Sequence, residues 1–140
     1  MSGVDRRDLQ LLARIRLQEA RALLKGGHSD GAYYLAGYAV ECGLKACIAK
    51  GIERYEFPDK KKVDASHTHN LRELIRVANL EKARLDEASR DPAFRDNWDV
   101  VQAWSEQSRY WRSDAATAQR LVKAIGDGKH GALSWIRRYW

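Results

Sequence analysis

The stretch AYYLAGYAVECGLKACIAK, from Ala32 to Lys50, sets the architecture of the chain. A helix through it, at 100° per residue, is apolar on almost every side, and one polar stripe gathers Tyr34, Tyr38, Glu41 and Lys45. Such a helix is expected in the middle of a helical bundle. Because an unpaired buried charge is costly, Glu41 and Lys45 must pair with each other or with groups from neighbouring helices.

A second long helix precedes this one, over about residues 5–25, with apolar residues at three- and four-residue spacing. The pair Gly26-Gly27 is typical of a helix end, and Ser29 or Asp30 can cap the central helix, which is predicted to stop at Gly51. Because only a few residues connect the two helices, they must lie antiparallel.

Shorter helical segments follow a long polar connection over residues 51–69, in which Lys60-Lys61-Lys62 is predicted to be a solvated loop. A helix is predicted from about Asn70, and residues 81–90 form either a short helix or a linker. Asp91-Pro92 is a strong helix start. The pattern breaks over residues 108–113, and Ser113 is predicted to cap a helix that ends near residue 125.

No period-2 strand pattern occurs in the sequence. We therefore expect a single all-α domain over residues 1–140, an antiparallel up-and-down bundle of four to six helices, with residues 126–140 as a C-terminal helical tail. Cys42 and Cys47 lie about 140° apart on one helix and are expected to be reduced core thiols.

Composition limits the classes of function. A net charge of +6 and a pI near 9.5 permit an anionic partner, above all nucleic acid. No apolar run is long enough to span a bilayer, and the N-terminal MSGVDRRDLQ lacks a signal core, so we expect a cytoplasmic protein without a membrane segment. No Walker or dinucleotide-binding glycine motif occurs, and no cofactor is expected.

The order of segments carries a family resemblance. AYYLAGYAVECGLKACI is followed by a polar loop, then by HNLRELI from His69, then by an aromatic-rich segment ending in RYW, and finally by an alanine-rich helix. This order resembles the HEPN (higher eukaryotes and prokaryotes nucleotide-binding) family over about residues 5–125. The resemblance implies a helical bundle that is often a homodimer. It also implies binding of a nucleotide, of RNA or of a protein partner, such as a minimal nucleotidyltransferase in a toxin–antitoxin pair.

Catalytic members of that family are RNases with an Arg-x4–6-His motif on a late helix. At the corresponding place this chain has Arg109 and Arg112 with no histidine in reach. The match from Arg21 to His28 straddles the end of the first helix, which is the wrong place. The resemblance therefore implies a protein that does not cleave RNA.

The candidate ligand site combines the polar stripe with later residues. Glu41 and Lys45 form an i, i+4 pair in the favourable order, and His69, at the start of its helix, is predicted to hydrogen-bond across to Glu41. No acid or cysteine close in sequence completes a metal site with His67 and His69, so no metal is expected. The predicted ligand-binding residues are Tyr34, Tyr38, Glu41, Lys45, His69, Arg109 and Arg112.

Each of these residues also has a structural interpretation, in which the polar stripe only holds the bundle together and Arg109 and Arg112 only bind acids or carbonyls at a helix junction. Two alternatives to ligand binding stay open. One is a metal-independent RNase toxin that uses His69 with Arg109 or Arg112. The other is a helical scaffold whose tryptophan-rich tail is an interaction surface.

Overall fold

Two long antiparallel helices form the centre of the fold, α1 (Arg6–Lys25) and α2 (Ser29–Arg54). The computed structural model describes residues 4–54 and 60–140. α1 begins with a capping box, in which the Asp5 and Asp8 side chains each accept a hydrogen bond from the other's backbone N–H. It ends at Gly26, and Gly27 makes the turn with φ +84°. The predicted first helix and its antiparallel partner are confirmed.

α2 is the central helix of the bundle, as its apolar pattern predicted. It packs against α1 and against four later helical segments. Its most deeply buried residues are Ala32, Ala36, Ala39, Val40, Leu44, Ala46 and Ile48.

The predicted stop of α2 at Gly51 was wrong, because the helix continues to Arg54. One interior glycine costs only about 1 kcal/mol relative to alanine. That cost is small beside the packing of a helix of this length.

The shorter helices surround α2. They are α3 (Lys60–Ala65), α4 (Leu71–Val77), α5 (Glu81–Arg90), α6 (Pro92–Gln102), a 3-10 helix (Glu106–Tyr110), α7 (Ala115–Gly126) and α8 (Ala132–Ile136). The described residues contain no strand, and the all-α prediction is confirmed. The number of helices exceeds the predicted four to six, because short helices also occupy the long connection and the C-terminal tail.

Local details correct several boundaries. Lys60-Lys61-Lys62 lies in α3 and not in a loop, whereas the neighbouring Pro58-Asp59 falls outside the described residues. Residues 81–90 form a helix, and Asn70 caps α4 as predicted. The cap of α7 is Asp114 and not Ser113, because the backbone N–H of Ser113 donates to Asp30 instead.

The C-terminal tail packs onto the same core. Trp135 and Ile136 are almost fully buried, and the Trp135 ring lies 5.3 Å from Phe94 and 5.9 Å from Trp98, measured between centroids. A Cβ at Gly43 would lie 3.0 Å from Ile136, so this glycine lets α8 approach α2 closely. The predicted docking of the tail is confirmed.

Both cysteines are free thiols. Burial raises the pKa of Cys47 to about 12 and that of Cys42 to about 11, which disfavours the reactive thiolate. Within the described parts of the chain, no helix has both the length and the apolar character needed to cross a bilayer.

Candidate binding site

The carboxylate of Glu41 is the buried centre of a charged network. The residue is 3% exposed, and its Oε2 accepts a hydrogen bond from Nζ of Lys45 at 3.2 Å. Nδ1 of His69 lies 3.0 Å from each carboxylate oxygen. Because Asn70 caps α4, His69 stands just before the helix and faces α2. The contacts predicted from the polar stripe are therefore present.

A second carboxylate completes this network from the 3-10 helix. Nε2 of His69 lies 2.7 Å from Oε2 of Glu106, an ion-pair distance without the alignment of a hydrogen bond. The other oxygen of Glu106 lies 3.1 Å from Nη1 of Arg109. His69 thus stands between two carboxylates and links α2 to the 3-10 helix. Sequence reasoning missed Glu106, although its position three residues before Arg109 was a signal for an ion pair.

Aromatic rings close one side of the network. Tyr38 lies 5.1 Å from Tyr34, 5.6 Å from Trp104 and 6.2 Å from His69, all measured between ring centroids. Burial, then the hydrogen bond with Tyr34 and the negative charge of Glu41, raise the pKa of Tyr38 above its ordinary value. Tyr34 and Tyr38 were predicted as stacking surfaces for a ligand, but the structure packs their rings mainly against other side chains.

Trp104 reaches this cluster because α2 has no side chain at Gly37. A Cβ built there would lie 2.0 Å from Cε2 of the indole. The indole therefore lies directly on the backbone of α2, and Trp104 is only 4% exposed. Neither Trp104 nor Gly37 was identified from the sequence as part of the site, since this contact depends on a close approach between distant segments.

The exposed part of the site is residues 109–112, which we call the arginine–aromatic segment. Tyr110 is 71% exposed and Trp111 47% exposed, and the Arg109 guanidinium carbon lies 4.8 Å from the centroid of the Tyr110 ring. The Arg112 side chain is 94% exposed, and its Nε lies 2.8 Å from Oδ2 of Asp30. Sequence reasoning did not include the two exposed rings, although the RYW motif was visible.

The structure separates Arg112 from the Glu41 network. Its partner Asp30 lies eleven residues before Glu41 on α2, about 16 Å along the helix axis. The prediction that one guanidinium and one imidazole converge on Glu41 holds for Arg109, through Glu106, and is wrong for Arg112. The predicted residues therefore form a buried network and an exposed segment attached to it.

A further histidine pair was missed by sequence reasoning. Nδ1 of His130 lies 2.6 Å from Oδ2 of Asp91, and this hydrogen bond lowers the pKa of Asp91 below its ordinary value. Asp91 also caps α6, so this pair joins the start of α6 to the turn before α8. Among the residues that the structure describes, no group of three metal-ligating side chains occurs.

Comparison with known proteins gives one family match. The family model of the HEPN domain matches residues 7–129, which is most of the chain. No curated protein and no solved structure matches the chain significantly. The segments that carried the resemblance, from α1 to α7, all lie within the matched residues.

Proposed function

The chain belongs to the HEPN domain family, and on this premise we propose that it binds single-stranded RNA without cleaving it. The ligand lies along the arginine–aromatic segment. The observation that carries this proposal is the presence of two arginines and two solvent-exposed aromatic rings in four consecutive residues.

The chemistry of this segment suits an unpaired nucleic acid strand. Exposed rings such as Tyr110 and Trp111 can stack on bases of any sequence, at about 1–3 kcal/mol per base. Arg112 pairs with Asp30 through Nε, which leaves its two terminal nitrogens to reach a phosphate. The net charge of +6 favours the approach of a polyanion.

The contacts of His69 support binding over cleavage. A nuclease histidine must take a proton from the ribose 2′-hydroxyl, but both ring nitrogens of His69 face carboxylates, at 3.0 Å from Glu41 and 2.7 Å from Glu106. Two carboxylates beside the ring also repel a phosphate. The alternative of an RNase that uses His69 with Arg109 would have to break these contacts first.

A protein partner is the second candidate, and the same exposed rings favour it. Tyrosine, tryptophan and arginine are the residues that dominate the energy of protein interfaces. The partners in question are a minimal nucleotidyltransferase of a toxin–antitoxin pair and a second copy of this chain in a homodimer. A cytoplasmic location stays part of the proposal.

Titration of the purified protein into a short fluorescein-labelled RNA tests the proposal. We expect fluorescence anisotropy to rise with protein concentration, and affinity to fall with salt at a slope of about −0.7 per phosphate contacted. A denaturing gel of the same samples is expected to show intact RNA. Unchanged anisotropy at low salt would contradict RNA binding, and shortened RNA that survives removal of contaminating nuclease would contradict the absence of cleavage.

A nucleotide ligand is distinguished by thermal unfolding with ATP or GTP. A ligand at a hundredfold excess over its dissociation constant adds about 2.7 kcal/mol to the free energy of unfolding. A clear rise in unfolding temperature with a mononucleotide, together with no RNA binding, would replace RNA by the nucleotide as the ligand.

A further inference from the structure

A polar cleft adjoins the arginine–aromatic segment. It has a volume of about 520 Å³ and lies between residues 68–72, which lead into α4, and residues 102–107, which connect α6 to the 3-10 helix. Side chains with both a donor and an acceptor, or with a positive charge, predominate in its lining. Those that matter for recognition are His69, Asn70, Arg72, Gln102 and Gln107.

The polar groups of the cleft are largely free for a ligand. The Gln107 side chain and the Arg72 guanidinium make no hydrogen bond or ion pair with any residue in the described ranges, 4–54 and 60–140. Gln102 makes one long contact, from Nε2 to Asp99 at 3.4 Å. Asn70 uses its side-chain oxygen to cap α4, which leaves its NH₂ group available. The cleft therefore offers amide donors and acceptors beside one uncompensated cation.

The position of the cleft relates it to the exposed rings. Gln107 and Tyr110 belong to the same 3-10 helix, three residues and so about 6 Å apart along its axis. A strand that stacks on Tyr110 and Trp111 passes the mouth of the cleft. Its next base is then within reach of Gln107, and the adjoining phosphate is within reach of Arg72.

We propose that this cleft receives one unpaired base of the bound RNA, adenine in preference to uracil, and that Gln102 and Gln107 read its edge. This inference rests on the proposed function. A carboxamide places a donor and an acceptor side by side, which matches the adjacent acceptor and amino group of adenine. Uracil presents no amino group, and it is also the smaller base.

Binding of labelled oligoadenylate and oligouridylate of equal length tests the cleft. We expect the wild type to bind oligoadenylate about tenfold more tightly, which is within the discrimination of one good bidentate contact. In Gln102→Ala/Gln107→Ala the preference is expected to fall to about twofold or less, with oligouridylate affinity unchanged. Gln119→Ala, an exposed glutamine on α7, is the matched control and keeps the preference of the wild type.

The outcomes separate the cleft from the segment. Equal affinity of the wild type for the two RNAs, or a preference that survives in the folded double variant, would overturn the reading of a base in the cleft and leave RNA binding intact. Failure of both RNAs to bind the wild type would overturn the proposed function itself. Circular dichroism of each variant establishes that it is folded.

Discussion

Gly37→Ala is expected to lower the free energy of unfolding by at least about 2 kcal/mol. The new methyl group would lie 2.0 to 2.2 Å from Cε2, Cδ2 and Nε1 of Trp104. Because the indole is buried among Tyr34, Tyr38 and the backbone of α2, it can move away only by opening that cluster. Urea denaturation monitored by circular dichroism measures the change.

The sign of this effect makes the test sharp, because alanine in an ordinary exposed helix position is about 1 kcal/mol better than glycine. Gly31→Ala is the control in the same helix. Its Cβ would meet only the flexible end of Leu23, at 3.3 Å, so we expect a change within about 0.5 kcal/mol or a small gain. A Gly37→Ala variant as stable as the wild type would contradict the packing of Trp104 on α2.

Glu41→Gln is expected to cost roughly 2–3 kcal/mol at neutral pH. The substitution keeps the shape of the side chain but removes the buried negative charge that faces Lys45 and His69. Lys45 and His69 are partly exposed, at 21% and 46% of their side chains, so water recovers part of their solvation and the cost stays below that of a fully buried pair. Chemical denaturation gives this value.

Glu19→Gln provides the comparison for the Glu41 prediction. Glu19 pairs with Arg16 at 2.6 Å on the surface of α1, with 46% of its side chain exposed. Loss of such an exposed pair is expected to cost at most about 1 kcal/mol. If the two variants were destabilised equally, burial of the Glu41 network would contribute nothing, and its role in holding the 3-10 helix would be wrong.

Much of the fold could be predicted from local sequence because its signals are local. The apolar pattern of residues 32–50 placed α2 at the centre, and the glycine pair after α1 fixed the antiparallel arrangement. The Glu41–Lys45 pair follows from helical spacing alone. The contact of His69 with Glu41 could also be predicted, since a buried carboxylate needs a partner from another helix.

The rest of the site depends on contacts that spacing does not encode. Trp104 meets Gly37, and Glu106 meets His69, only because residues 103–113 cross α2 without helical periodicity. The same crossing brings Arg112 to Asp30 at the first turn of α2, away from Glu41. An irregular segment offers no period from which to infer which side chain faces inward. The exposed rings of the arginine–aromatic segment, at Tyr110 and Trp111, were missed for this reason.

The central claim is that the surface between α6 and α7, held in place by buried charges, is where this HEPN domain meets its ligand. The affinity of single-stranded RNA for Trp111→Ala/Arg112→Ala tests it most directly, with Leu85→Ala/Arg120→Ala, an exposed apolar residue and an exposed arginine elsewhere, as the matched control. The account predicts that the first variant binds at least about tenfold more weakly than the wild type and that the control binds equally well. Wild-type affinity in the folded Trp111→Ala/Arg112→Ala variant would contradict the account.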